Sequence, residues 1–195
     1  MRPGRRGLAR SSVTLRFGLA RPAFSQRIDD EGRLHIRARC RGFTVWCSVD
    51  LDLMVPADVP VRVSAGSARL ADLTGPVTVD SSAGEVQLDR LSGPLRLNLG
   101  AGEIDANDLT SDDVRAGAGA GSVRIGFARP PREVEARAGA GEVEIELPRG
   151  PTAYRVEASA GAGDTQVAVR TDPDSERIIR ADAGAGRASV VYGAP

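Results

Sequence analysis

Four carboxylates share one local setting in this chain. Glu85, Glu103, Glu142 and Asp164 each directly follow an Ala-Gly pair, and Ser67, Ser122 and Arg187 hold the same position elsewhere. Carboxylates set side by side can hold a divalent cation through their oxygens. Gathered with basic residues in an aromatic-lined groove, they are the equipment of polysaccharide-processing β-helices. If strands carrying these positions stack in register, Glu85 faces Glu103 and Glu142 faces Asp164. Like charges at that separation repel, so the column needs either a bound cation or side chains splayed into water. Splayed, solvated carboxylates are the expectation, with no metal and no cofactor.

Other residue types narrow the chemistry further. His35 is the only histidine; a His-rich metal site is excluded, and a Ser-His-Asp triad would have to take its base from an otherwise plain strand. Asp29, Asp30 and Glu31 cluster beside Gly32, which reads as a turn. Trp46 is the lone tryptophan and the acids are spread out, so no enzyme and no catalytic residue is expected. All 26 basic residues are arginine, so the Gly-Ala runs lack the lysine of a phosphate-binding loop. The segment GAGD, ending at Asp164, is the one echo of a calcium-roll repeat. Cys40 and Cys47 flank RGFTVW. They close a small hairpin as a disulfide if the protein meets an oxidising compartment, and are otherwise buried thiols; two ligands alone do not make a structural zinc site.

The arginines balance 26 acids, and a net charge of zero gives no general attraction to nucleic acid or to an anionic membrane. Arg5 and Arg6 have no apolar run behind them, and no segment approaches the roughly 20 apolar residues of a membrane span. As written, the chain is expected to be cytoplasmic.

Whatever these residues do, a repeat must position them. Ala-Gly recurs at Ala65, Ala83, Ala101, Ala120, Ala140, Ala162 and Ala185, at intervals of 18, 18, 19, 20, 22 and 23 residues. Six residues before each alanine stand Val59, Val77, Leu95, Val114, Val134, Val156 and Ile179; four before stand Val61, Val79, Leu97, Ala116, Ala136, Ala158 and Ala181. Apolar residues at every second position, with polar ones between, have the period of a half-buried strand. A second strand follows each pair, as in Val123 and Ile125 or Val143 and Ile145, and glycine after alanine suits a bend needing positive φ. Corners then follow, with Leu73, Leu91 and Leu109 spaced 18 apart as an interior column. In VRAGAGAGSVRI, Val114, Ala116, Ala118 and Ala120 are expected inward, and Gly117, Gly119 and Gly121 outward or at the bend.

Such units cannot bury an apolar face alone, but stacked copies share a core. The expected fold is all-β: a single-chain parallel β-solenoid, of β-helix or β-roll type, with about seven rungs of 18–23 residues. An antiparallel sandwich of hairpins is the runner-up. Residues 1–11 are expected to be a disordered basic terminus. Residues 12–58, with strands at 12–17, 34–40 and 43–55, form an N-terminal β cap continuous with the solenoid at 59–193.

The units SSAGEVQL, LGAGEIDA and AGAGEVEI, each trailed by a corner such as LSGP, resemble a bacterial adhesin-like family of unknown function, abundant in actinobacteria. The lead-in segments RPAFSQRIDDEGRLHIRARC and CSVDLDLMVPADVPVRV resemble that family too, so the likeness covers about residues 12–193. It implies a β-solenoid and a cell-envelope setting, and supplies no catalytic residues. Many members begin with an export or membrane segment, so this one is cytoplasmic or its natural start lies upstream. The expected function is a non-enzymatic solenoid presenting a repetitive charged surface to a protein or glycan. The alternatives are an end-to-end scaffold like the bactofilin cytoskeleton, self-associating through its C-terminal rung, and a regulatory sensor module.

Overall fold

The computed structural model describes residues 10–17, 23–31, 33–39 and 47–193, and these contain strands but no helix. The chain divides into two compact units, Met1–Pro56 and Ala57–Pro195.

In the first unit, β1 (Arg10–Phe17) pairs antiparallel with β4 (Cys47–Met54), and β2 (Ala23–Ile28) with β3 (Leu34–Arg39). Strands β3 and β4 fall in the segments whose alternation predicts them, and β1 covers 12–17 but begins earlier, at Arg10, inside the terminus expected to be disordered. Strand β2 escapes a sequence reading because Gln26 interrupts its only apolar alternation, Phe24 to Ile28. The acidic cluster is a turn, as expected: Asp29 Oδ1 accepts hydrogen bonds from the Glu31 and Arg33 backbone N–H groups at 3.0 and 2.8 Å.

The second unit is the parallel β-solenoid that the repeat predicts. Its first rung is two short strands, β5 (Val61–Val63) and β6 (Ala68–Ala71). Six longer rungs follow: β7 (Val77–Asp89), β8 (Leu95–Leu109), β9 (Asp113–Phe127), β10 (Glu133–Leu147), β11 (Arg155–Val167) and β12 (Ile178–Tyr192). Each long rung is a strand bent at its Ala-Gly pair into two arms, and the pairs stay in register from rung to rung. Gly121 shows why the bend is glycine: its φ is 127°, and a Cβ there would sit 1.8 Å from the carbonyl oxygen of Gly102.

The core runs up the inside of the stack. Val77, Leu95, Val114, Val134 and Ile179 form one buried column; Val79, Leu97, Ala116, Ala136 and Ala181 form the next; Leu73, Leu91 and Leu109 line the corners. Buried side chains on alternate positions are what drive these segments to pair as strands.

Three sequence expectations are corrected. Ala120 does not point inward: the bend begins one residue earlier, at Gly119, and leaves Ala120 exposed. In the first rung Val61, not Val59, stands in the column of Val77, because that rung reaches its bend in fewer residues. The largest correction concerns order. The sheet runs β11-β12-β10-β9-β8-β7-β5, so the C-terminal rung is not the end of the stack but lies between β10 and β11.

Side-chain chemistry accounts for that order. Sequential stacking would set Glu135 beside Glu157 and Glu142 beside Asp164, against one attractive pair, Glu133 with Arg155. With β12 inserted, Arg180 stands between Glu135 and Glu157, and Arg187 between Glu142 and Asp164. Opposite charges across a ladder contribute roughly 0.2–1 kcal/mol each, and like charges cost a similar amount. Insertion also keeps Thr165 exposed on the end rung while Ala188 and Val190 fill the interior. A hydroxyl buried there without a partner would cost more than it gains. The Arg177 guanidinium fastens the arrangement, donating to the carbonyls of Pro130 and Pro131 at 2.9 and 2.7 Å.

Candidate functional site

The alternation that buries one side of each rung places its polar residues in outward rows that run the length of the stack. The row holding the acids of interest reads Glu85, Glu103, Ser122, Glu142, Arg187, Asp164. Glu85 and Glu103 are brought side by side, as their spacing predicts. Glu142 and Asp164 are not, because Arg187 separates them. The acidic column is therefore broken twice, by Ser122 and by Arg187.

The next row neutralises much of what remains. Arg124 reaches across to Glu103 at 2.9 Å and also lies 3.5 Å from Glu144 and 4.0 Å from Glu142. Arg124 itself stands between Asp105 and Glu144 in its own row. Glu85 accepts a hydrogen bond from the Gln87 amide. Among the described residues no group of three or more His, Cys, Asp or Glu is placed to hold a metal ion.

On the other arm the row reads Thr78, Arg96, Arg115, Glu135, Arg180, Glu157. Arg180 hydrogen-bonds Glu157 at 2.8 Å, which holds its guanidinium pKa above the ordinary value. Arg115 lies 3.6–4.0 Å from Asp113, Glu133 and Glu135. Arg96 is exposed beside Arg115, and among the described residues it has no carboxylate within ion-pair distance. Near the bend lies an open groove of about 570 Å³, bordered by Asp80, Asn98, Gly100, Gly117 and Gly119 with Leu99 at its floor.

Elsewhere the polar residues serve structure. Asp72, Arg90 and Asp108 repeat at 18-residue spacing with φ of 57°, 52° and 52°, each just before a corner leucine. Arg90 donates to both Asp72 oxygens, at 2.8 and 3.1 Å, and this holds the Asp72 carboxyl below its ordinary value. His35 Nε2 lies 2.8 Å from Asp29 Oδ2, and that hydrogen bond lowers the Asp29 pKa. His35 is exposed on β3, and Asp29, at the turn, is half-buried. Cys40 lies outside the described residues, as does the side chain of Cys47, so the disulfide expected between them is outside them too.

Sequence reasoning missed two elements. Tyr154 is wholly buried behind the corner before β11, its hydroxyl without a hydrogen-bond partner, and burial pushes its pKa up. Arg177 reads as one more surface arginine. The signal for both was the lengthened interval between later Ala-Gly pairs, which shows extra corner residues but not where they go.

No helix of the described residues is long and apolar enough to cross a membrane. The model of the Toastrack family (DUF4097) matches residues 48–191. No curated protein and no solved structure matches the chain.

Proposed function

The chain belongs to the Toastrack family, a domain of unknown function, and on that premise we propose that it is a non-enzymatic, adhesin-like solenoid presenting its charged outer rows to a protein or glycan. A rigid all-β stack with a continuous core suits display better than turnover, because its backbone holds side chains at fixed spacing. One observation carries the reading. Arg96 beside Arg115, and Glu85 beside Glu103, are like-charged neighbours in register on the outer face. Such pairs cost stability in a free ladder. A charged ligand laid across the rungs offsets that cost, and its groups would meet Arg96 on one arm and Glu85 on the other. The cell-envelope setting rests on the family resemblance.

A binding series against anionic and cationic polysaccharides and against basic and acidic peptides tests this. We expect salt-sensitive binding to one class, lowered about tenfold by Arg96→Ser or by Glu85→Ser, the arm affected giving the sign of the ligand. Absence of binding to every class, or binding indifferent to both substitutions, would sink the proposal.

A further inference from the structure

We infer that copies of this chain stack head to tail, the free edge of β11 accepting the first rung, β5 and β6, of a second copy. The inference goes beyond surface display and does not depend on it. Among the described residues, β11 is paired along its length on one side only, by β12, with Thr171 bridging Tyr154 just before its start, and β5 and β6 are paired on one side only, by β7. Every rung between them is paired on both sides. Both end rungs leave interior positions open: Val167 is 44% exposed, and Val61, Val63 and Leu70 are half-buried. One rung inward, Val77, Val79 and Leu88 are each 1% exposed.

The two ends fit because the columns are continuous. Following the register through the stack, Val156 lies in the column of Val61, Glu157 in that of Arg62, and Val167 in that of Leu70. A second copy added in parallel register on β11 thus sets apolar on apolar at Val156 and Val167. It also sets Glu157 beside Arg62 of the second copy. The outward row Arg115, Glu135, Arg180, Glu157 then continues with arginine, keeping its alternation of sign. Arg69 already donates to Gln87 in its own column at 2.7 Å, and Gln166 offers the same amide from the open side. No like charges meet: Arg155 falls beside Pro60, and Asp164 beside Ser67. The first rung is the shorter one, so the fit lies at the outer ends of the two arms and not at the bend. A heterologous contact of this kind does not close on itself, so it builds an open file of copies.

Sedimentation velocity of the full chain over a concentration series tests the inference. The wild type is expected to grow into larger species. Glu157→Arg and Arg62→Glu should each weaken assembly at least about tenfold, since each sets like charges together. An equimolar mixture of the two is the sharper test. In the mixture the Glu157→Arg edge meets the Arg62→Glu rung and the unaltered Glu157 edge meets the unaltered Arg62 rung, so opposite charges face at both contacts and an alternating file of the two variants regrows. Val167→Arg, at a side chain already in water, should give the same loss without disturbing Arg180. Circular dichroism of each variant reports that the fold is kept. A wild type that stays monomeric at its highest soluble concentration would overturn the inference. So would assembly unchanged by the folded variants, or a mixture that assembles no better than either variant alone. Ligand binding by the outer rows should survive in Val167→Arg, which lies outside those rows, and this separates the outcome from that of the display proposal.

Discussion

The rungs β7 to β10 stack in the order in which they are made, whereas the last two, β11 and β12, stack in reverse. The difference teaches what a column of small residues can and cannot specify. In β7 and β8 the interior carries Val79, Leu97 and Leu99, side chains large enough to differ from their neighbours. In the last three rungs the same columns are all alanine: Ala136, Ala158 and Ala181, then Ala138, Ala160 and Ala183. Identical columns hold register but are blind to order. Order passes to whatever differs, which here is outward charge, Thr165 in place of an aliphatic residue, and the Arg177 anchor on the corner of β10.

The glycine column is the device both regions share, so breaking it should have the largest effect. Gly121→Ala is expected to cost at least about 3 kcal/mol, combining a φ that side chains avoid with a backbone clash. Gly117→Ala, in the same AGAGAG run, is the control: its added Cβ meets nothing nearer than Asn98 Oδ1 at 4.0 Å. It should be neutral or stabilising by about 0.5 kcal/mol. Denaturant unfolding of the two variants distinguishes them, and equal losses would refute this account of the bend.

Next in size, the double variant Arg180→Glu with Arg187→Glu attacks only the reversed region. It replaces four opposite-sign neighbours by like-sign ones, at an expected cost of about 1–3 kcal/mol. Amide exchange should quicken in β11 and β12 while β7 to β9 stay protected. Uniform loosening, or none, would show that charge does not set the order.

The smallest effect belongs to the early corners. Asp72 is held below the ordinary carboxylate value of 3.8 by its hydrogen bond to Arg90. A depressed pKa means that the folded chain binds this proton less readily than the unfolded chain. Its contribution to stability is therefore present above pH 3.8 and is lost as pH falls through the folded value. The thermal midpoint of Asp72→Asn should drop less on acidification than that of the wild type, by no more than a few degrees. Parallel curves for the two proteins would exclude a role for this pair.

Much of the fold was legible because it is local or periodic. Alternation of Val, Leu and Ile with polar residues specifies strands, and recurrence of Ala-Gly specifies parallel register, since equivalent residues stack best on themselves. Even the pairing of Glu85 with Glu103 follows from an 18-residue interval. Three things did not follow. Gly117 and Gly121 look alike in the run, yet only one meets a neighbouring carbonyl, which depends on where the chain above it passes. The acidic row lost its Glu142–Asp164 contact to Arg187, a residue from a rung that follows in sequence but intervenes in space. Tyr154 became core because a long corner folds inward. By itself the sequence determined the strands and register of the long rungs and the identity of their outward rows, all properties of spacing. The tertiary structure alone decided the order of the last rungs and hence which edge is free, because that choice weighs charges and corner contacts between residues far apart in the chain.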